Sequence, residues 1–407
     1  MTRSFIKITI TPKGERAVRG GHPWVFSDEI ISQESVPADG SLVDVCSQKG
    51  KYLGTGFYNS NSKIRVRIIS RNTNDRFDEA FWERRVRYAV AYRHQVMGDD
   101  FSCCRLIFGE SDMFPGLTVD RFSDILVAQV LSLGMELNKD VIFSALVRVL
   151  SEYGMPVSAI YERNDAALRL KEGLQQDKHF YAGNGLRTDL CGHIEITENG
   201  IIYDVDYING QKTGFFLDQK YNRLAAARIA RGKTVLDCFT HTGAFALNCA
   251  KAGAAHVTAV DVSEDAILSA RNNASRNGLL DHMDFITADV FSLLTEYAES
   301  GNRMYDYIIL DPPAFTKSSA TVKNAMKGYK EINLKAMKLL PRGGYLATCS
   351  CSHFATDDLF REMLSNAAAD ANVQLRQIEC RQQSPDHPIL WNVPETNYLK
   401  FYLFQIV

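Results

Sequence analysis

Two segments of this chain end in residues able to do covalent chemistry. Tyr345-Leu346-Ala347-Thr348-Cys349-Ser350-Cys351-Ser352-His353 is a run of strand formers that gives way to small polar residues and two cysteines. Tyr305-Asp306-Tyr307-Ile308-Ile309-Leu310 is a second apolar run, and it ends in Asp311-Pro312-Pro313. Parallel strands with such ends put a thiol and a carboxylate on one rim of a sheet, where α/β folds place their ligands. A thiol beside an acid points to nucleophilic chemistry on a flat, polar substrate.

The elements that must position these groups follow from periodicity. From about residue 196 strands alternate with helices, the sign of a mostly parallel sheet covered on both faces. Strands are expected at 234–239, 256–262, 283–289, 305–311 and 345–351, then a hairpin-like end at 373–380 and 398–407. Helices are expected near 243–252, 263–277, 290–299, 326–340 and 356–370, with Ser263 and Thr356 as N-caps followed by acids. Residues 73–195 read as an α+β middle domain, with a long helical pattern from Asp75 to Met97. Residues 1–72 read as short strands of a small β-barrel-like module. Within them Lys63-Ile64-Arg65-Val66-Arg67-Ile68-Ile69 alternates, so Lys63, Arg65 and Arg67 are expected to form a basic ladder opposite Ile64, Val66 and Ile68.

The first strand of the C-terminal sheet, Thr234-Val235-Leu236-Asp237-Cys238-Phe239, runs into Thr240-His241-Thr242-Gly243. A pyrophosphate would need three glycines there, which disfavours a nicotinamide dehydrogenase. One glycine and an acid suit a ligand without phosphate. Strand two ends at Asp261, placed for ribose hydroxyls. Strand three ends at Asp289, placed for the exocyclic amine of adenine, and strand four at Asp311-Pro312. This ordered set of acids, with Phe239 and Gly243 in the first loop, is how class I methyltransferases hold S-adenosylmethionine (SAM).

Composition narrows the class further. The chain has 407 residues, 45% of them apolar, and a net charge of −2, so it is not a polycation. No stretch approaches the ~20 apolar residues of a membrane span. The start lacks a signal-peptide core, so a cytoplasmic protein is expected. Nine cysteines without a Cys-x-x-Cys pair indicate neither a disulfide frame nor a zinc site. Most of them, Cys46, Cys103, Cys104, Cys191, Cys238, Cys249 and Cys380, read as small residues in or near the core. Residues 1–72 hold five Lys and six Arg against six acids, a local +5 that fits an anionic partner.

The chain resembles the bacterial and archaeal SAM-dependent methyltransferases with an N-terminal PUA domain, whose best-understood members make 5-methylcytosine in large-subunit (23S) ribosomal RNA. The resemblance rests on Gly21-His22-Pro23-Trp24-Val25-Phe26-Ser27, Gly109-Glu110-Ser111-Asp112 with Pro115-Gly116-Leu117, and Gln211-Lys212-Thr213-Gly214-Phe215-Phe216-Leu217-Asp218-Gln219. It continues through Asp311-Pro312-Pro313, Gly328-Tyr329-Lys330-Glu331-Ile332-Asn333, Ser350-Cys351-Ser352 and Asp386-His387-Pro388. It implies that residues 1–72 are a PUA module whose basic ladder meets RNA, that 196–407 form the methyltransferase domain, and that Thr213, Asp218 and Gln219 fold over the methionine end of SAM. It also implies a homodimer, while hydropathy and cysteine spacing give no role to a membrane or a metal.

Carbon 5 of cytosine is too weakly nucleophilic to take a methyl group directly, so a thiolate must first add at carbon 6. Cys351 is the expected nucleophile, with Cys349 the other thiol on that strand, and Asp311 is expected at the pyrimidine edge. Many related enzymes carry a second cysteine where Pro313 stands, so the base that removes the carbon-5 proton has no candidate. Lys317 and His353 lie nearby in sequence without an assignable role. Phe315 and Tyr329 read either as stacking platforms for an unstacked base or as core residues. Two other functions compete: exocyclic-nitrogen methylation, which needs no thiol, and RNA binding with a vestigial SAM pocket.

Overall fold

Seven strands assemble the C-terminal sheet: β1 (Thr234–Cys238), β2 (His256–Asp261), β3 (Met283–Thr287), β4 (Tyr307–Leu310), β5 (Tyr345–Ser350), β6 (Leu375–Arg381) and β7 (Lys400–Ile406). Their order in this computed structural model is β3-β2-β1-β4-β5-β7-β6. The first five are parallel, and β7 runs antiparallel to both its neighbours. The strand order reverses between β1 and β4, which opens a crevice beyond their carboxyl ends. The structure describes residues 5–300, 304–316 and 318–407. The first four residues and Lys317 lie outside them.

Burial on both faces explains why the inner strands β1, β2, β4, β5 and β7 are rich in apolar residues, whereas the edge strands β3 and β6 are largely exposed or half-buried. Tyr307, Ile308, Ile309 and Leu310 of β4 are all fully buried. The covering helices are α1 (Ala244–Lys251), α2 (Glu264–Arg276), α3 (Val290–Ser300), α4 (Val322–Leu339) and α5 (Asp357–Ala371). Ser263 caps α2 by accepting from the Ala266 N–H at 3.2 Å, and Thr356 caps α5 by accepting from the Leu359 N–H at 3.4 Å. Leu236, Ile308, Leu346, Tyr329, Ile332, Phe360 and Tyr402 pack into one cluster that fixes the sheet against α4 and α5. All of this belongs to one compact unit, residues 195–204, 218–384 and 397–407.

A second unit holds residues 1–194, 205–217 and 385–396. Six short strands between Ile6 and Ser70 form one sheet around Ile8, Ile10, Val25, Val43, Val45, Val66 and Ile68. Five more, between Cys103 and Phe180, form another, alongside the helices Glu79–Met97 and Lys139–Glu152. Distant motifs serve as anchors in this unit. Arg93 grips the Asp112 carboxylate with both terminal nitrogens, at 2.5 and 2.7 Å, and donates to the Asp386 carbonyl at 3.0 Å. Asp386 also accepts from the Arg105 N–H at 2.8 Å, although 281 residues separate them.

The expected basic ladder is corrected by a β-bulge. The strand Ile64–Ser70 pairs with Trp24–Phe26 in the register Trp24↔Arg67, Val25↔Val66, Phe26↔Ile64, so Arg65 is an extra residue. A bulge of this kind flips the facing of what precedes it. Ile64 therefore leaves the side of Val66 and Ile68 and joins that of Arg67. Lys63 is exposed and Arg65 half-buried, donating to the Asn59 carbonyl at 3.0 Å. Arg67 is only 8% exposed and pairs with Glu172 at 2.7 Å. Three solvated cations in a row do not form. Two cysteines also differ from expectation: Cys191 and Cys380 are exposed, the first outside the strands and the second on the edge strand β6.

Candidate active site

Asp237, one residue from the end of β1, is 1% exposed. One carboxylate oxygen accepts from the Thr240 hydroxyl at 2.6 Å and the Ala246 N–H at 3.0 Å. The other, Oδ1, is buried with no hydrogen-bond partner among the described residues. Burial pushes this carboxyl up to about 7. The loop that follows turns back on itself through three left-handed residues, Phe239 (φ 65°), His241 (φ 49°) and Gly243 (φ 82°). A Cβ at Gly243 would stand 3.0 Å from that of Ala270, so only glycine brings α1 this close to α2. Burial lowers His241 to about 4, so its ring is neutral.

The Asp261 carboxylate ties this loop to β2. Oδ2 accepts from the His241 N–H at 2.9 Å and Oδ1 from the Ser263 N–H at 3.0 Å. Each oxygen keeps a lone pair for a hydroxyl donor. Asp289 is exposed, and one of its oxygens takes the Ser292 N–H at 2.9 Å and hydroxyl at 3.0 Å. That residue thus caps α3, two residues past the end of the third strand.

On the other side of the crevice, Asp311 follows β4. Its Oδ1 accepts from the Gln219 amide at 2.9 Å. The Gln219 amide is itself oriented, because its carbonyl accepts from Asn222 at 2.7 Å. Burial, then the neighbouring Asp218 charge, raises the Asp311 carboxyl to about 6. Asp218 accepts from the Tyr398 hydroxyl at 2.6 Å. Pro312 is buried behind Asp311.

The two thiols of the β5 rim differ sharply. Cys349 is fully buried, and burial together with the Asp311 carboxylate, to which it is hydrogen-bonded, pushes its thiol far up. Cys351, one residue past the strand, is half-exposed. Beside it stands Lys400, the first residue of β7, whose ammonium donates to the carbonyls of Ser352 at 2.7 Å and Tyr398 at 2.9 Å. Lys400 is 6% exposed; burial lowers it to about 8, while the Cys351 charge pulls the other way. Tyr329 is fully buried, and its hydroxyl meets those of Ser350 at 3.1 Å and Ser352 at 3.0 Å. It is a core residue that holds the rim. Phe315 packs on it, ring centroids 4.5 Å apart.

Asp218, Gln219, Asp237, Phe239, Gly243, Asp261, Asp289, Asp311, Pro312 and Cys351 all fall in the unit that holds the seven-stranded sheet. Thr213 falls in the other, where its hydroxyl donates to Asp120 at 2.6 Å. Lys400, Tyr398 and Asn222 were not singled out from the sequence. Lys400 had a signal, a lone cation at the head of the apolar run Phe401-Tyr402-Leu403-Phe404.

The donor set fits SAM. An unpartnered buried carboxylate oxygen at Asp237 awaits a donor such as an ammonium, and Asp261 retains acceptors for two ribose hydroxyls. Among the described residues no group of three or more His, Cys, Asp or Glu could hold a metal ion, and no helix is long and apolar enough to cross a membrane.

Comparison with known proteins agrees. Residues 8–71 match the PUA-like domain family, and residues 106–405 match the S-adenosylmethionine-dependent methyltransferase family. The "Ribosomal RNA large subunit methyltransferase I" of Pseudoalteromonas translucida is 41% identical over 388 residues, 95% of this chain and 96% of that protein. The protein of the same name from Klebsiella pneumoniae is 39% identical over 410 residues and covered in full, as is this chain. Among solved structures, a putative SAM-dependent methyltransferase from Streptococcus mutans superposes with a TM-score of 0.82 at 22% identity, over 98% of this chain and 100% of its own. The fold is therefore that of SAM methyltransferases, and the chain belongs to the SAM-dependent methyltransferases with a PUA-like domain, the family that includes the ribosomal RNA large subunit methyltransferases I.

Proposed function

We propose that this enzyme methylates carbon 5 of a cytosine in large-subunit (23S) ribosomal RNA through a covalent adduct with Cys351. The observation that carries the reading is the contrast at the β5 rim. One thiol is sealed in the core, and the other is half-exposed beside a buried ammonium. A nearby cation favours the thiolate, the nucleophilic form.

SAM supplies an electrophilic methyl group on a sulfonium. Asp218, Gln219, Asp237, Phe239, Gly243, Asp261, Asp289 and Pro312 are the residues that would hold it. Cys351 adds its thiolate to carbon 6 of the cytosine, forming an S–C bond and placing an electron pair at carbon 5, the atom that accepts the methyl. A carboxyl that keeps its proton up to about 6, as Asp311 does, suits the N3 edge of the ring, where negative charge builds up as the thiolate adds and a proton donor is needed. After the carbon-5 proton leaves, the S–C bond breaks and Cys351 departs as thiolate. The same reading places the enzyme in the cytoplasm with its RNA; a homodimer follows from family resemblance alone.

The test is transfer of labelled methyl from SAM to ribosomal RNA lacking the modification, with nucleoside mass analysis. Wild type should give 5-methylcytidine, Cys351→Ala none, and Cys349→Ala most of the wild-type rate. Calorimetry should show SAM bound by all three. Label in a nitrogen-methylated base, or activity surviving in Cys351→Ala, refutes the thiol mechanism.

A further inference from the structure

Two sequence motifs, Gly21–Ser27 and Gly109–Leu117, and the segment that follows Asp386-His387-Pro388 play no part in the proposed chemistry. All lie in the unit without the methyltransferase sheet. They converge on a cavity of about 880 Å³, to which they contribute Trp24 and Phe26, Glu110 and Gly116, and Val393 and Glu395 respectively. That volume falls within the roughly 300–1,000 Å³ of small-ligand sites.

We propose that this cavity receives one unstacked nucleobase of the RNA, an inference that rests on the RNA-modifying reading above. Its walls are aromatic and aliphatic: Trp24, Phe26, Ile64, Phe108, Leu131 and Leu168. The bulge at Arg65 brings Ile64 to this side, across from Phe26. Trp24 is held in place, its indole N–H donating to Glu110 at 2.9 Å and the Arg67 guanidinium standing 5.9 Å over its ring. The polar lining is charge-balanced, with Lys63, Arg67 and Lys171 against Glu110, Glu172 and Glu395. A neutral, aromatic guest fits such a lining better than a phosphate does.

The cations of the lining divide into two kinds. Arg67 is 8% exposed and its guanidinium is held by Glu172 at 2.7 Å and Glu110 at 3.7 Å, so it belongs to the wall. Lys63 and Lys171 are exposed, so they suit the phosphates on either side of an inserted base. Proteins that read single-stranded RNA use this combination, stacking on aromatic faces with cations along the backbone.

Two variants test the pocket. Trp24→Leu removes the indole face. Leu168→Trp obstructs the cavity from a residue that is 48% exposed, where the fold is not at stake. Binding of a single-stranded fragment of unmodified large-subunit ribosomal RNA is followed by fluorescence anisotropy at fixed salt. Each variant should bind RNA about tenfold more weakly, within the range for loss of one base–aromatic stack, and raise KM for RNA while leaving kcat and SAM affinity unchanged. RNA affinity unchanged in both variants overturns the pocket and leaves the methyltransferase reading standing. If Trp24→Leu fails to fold, Leu168→Trp alone decides. Wild-type protein that binds SAM but no RNA overturns both.

Discussion

Replacing Asp237 with Asn should stabilise the enzyme increasingly as pH rises. The carboxyl of Asp237 holds its proton to about 7, against an ordinary value of 3.8, because burial penalises its charge. The native state therefore binds more protons at this site than the unfolded chain, and stability falls as pH climbs from 3.8 towards 7. Each unit costs about 1.4 kcal/mol, so from about pH 5 to about pH 8 the loss at this site is roughly 3 kcal/mol. Asn cannot ionise. Its buried amide N–H carries a cost of its own, about 1–3 kcal/mol, which does not change with pH. The difference between the proteins should therefore grow by roughly 3 kcal/mol over that range, most of it below the folded-state pKa. Urea unfolding without SAM, monitored for both proteins at matched ionic strength, reads this directly. Calorimetry should show that Asp237→Asn weakens SAM binding, since the unpartnered Oδ1 is the acceptor that an ammonium would use. A stability difference that stays constant with pH refutes the reasoning, because it would mean the carboxylate is hydrated in the native state.

Two further changes test the crevice. Lys400→Met should raise the pH midpoint of Cys351 alkylation by iodoacetamide, by about one unit, with SAM affinity unchanged; an unmoved midpoint assigns Lys400 a purely structural role. Gly243→Ala puts a side chain at φ 82° with its Cβ 3.0 Å from Ala270. It should cost about 1–3 kcal/mol in urea titration and weaken SAM binding; a neutral outcome would show that α1 and α2 can separate freely.

What could be read from the sequence depended on whether the deciding interaction was local. The inner strands of the methyltransferase sheet announce themselves, because burial on two faces demands an apolar run and the crevice demands a polar break. Asp237, Asp261, Asp289 and Asp311 were visible as those breaks. Ser263 and Thr356 were legible because a cap needs only its own helix. The ladder failed for the opposite reason: its facing is set by Trp24–Phe26, some 40 residues away, whose register makes Arg65 a bulge. Arg67 is buried because Glu172, about 100 residues away, waits for it. Lys400 escaped notice because its meaning depends on β7 running antiparallel beside β5, which sets it opposite Ser350. Pairing alone turns that lysine from an anomaly in an apolar strand into the cation beside the thiol. A lysine 6% exposed is retained at a cost in desolvation, and two backbone carbonyls would not by themselves require a charge. Under the proposed mechanism the charge acquires a reason, because the residue between Ser350 and Ser352 works there as a thiolate. In that proposal the anomaly in β7 and the chemistry assigned to the end of β5 are one requirement, seen from two strands.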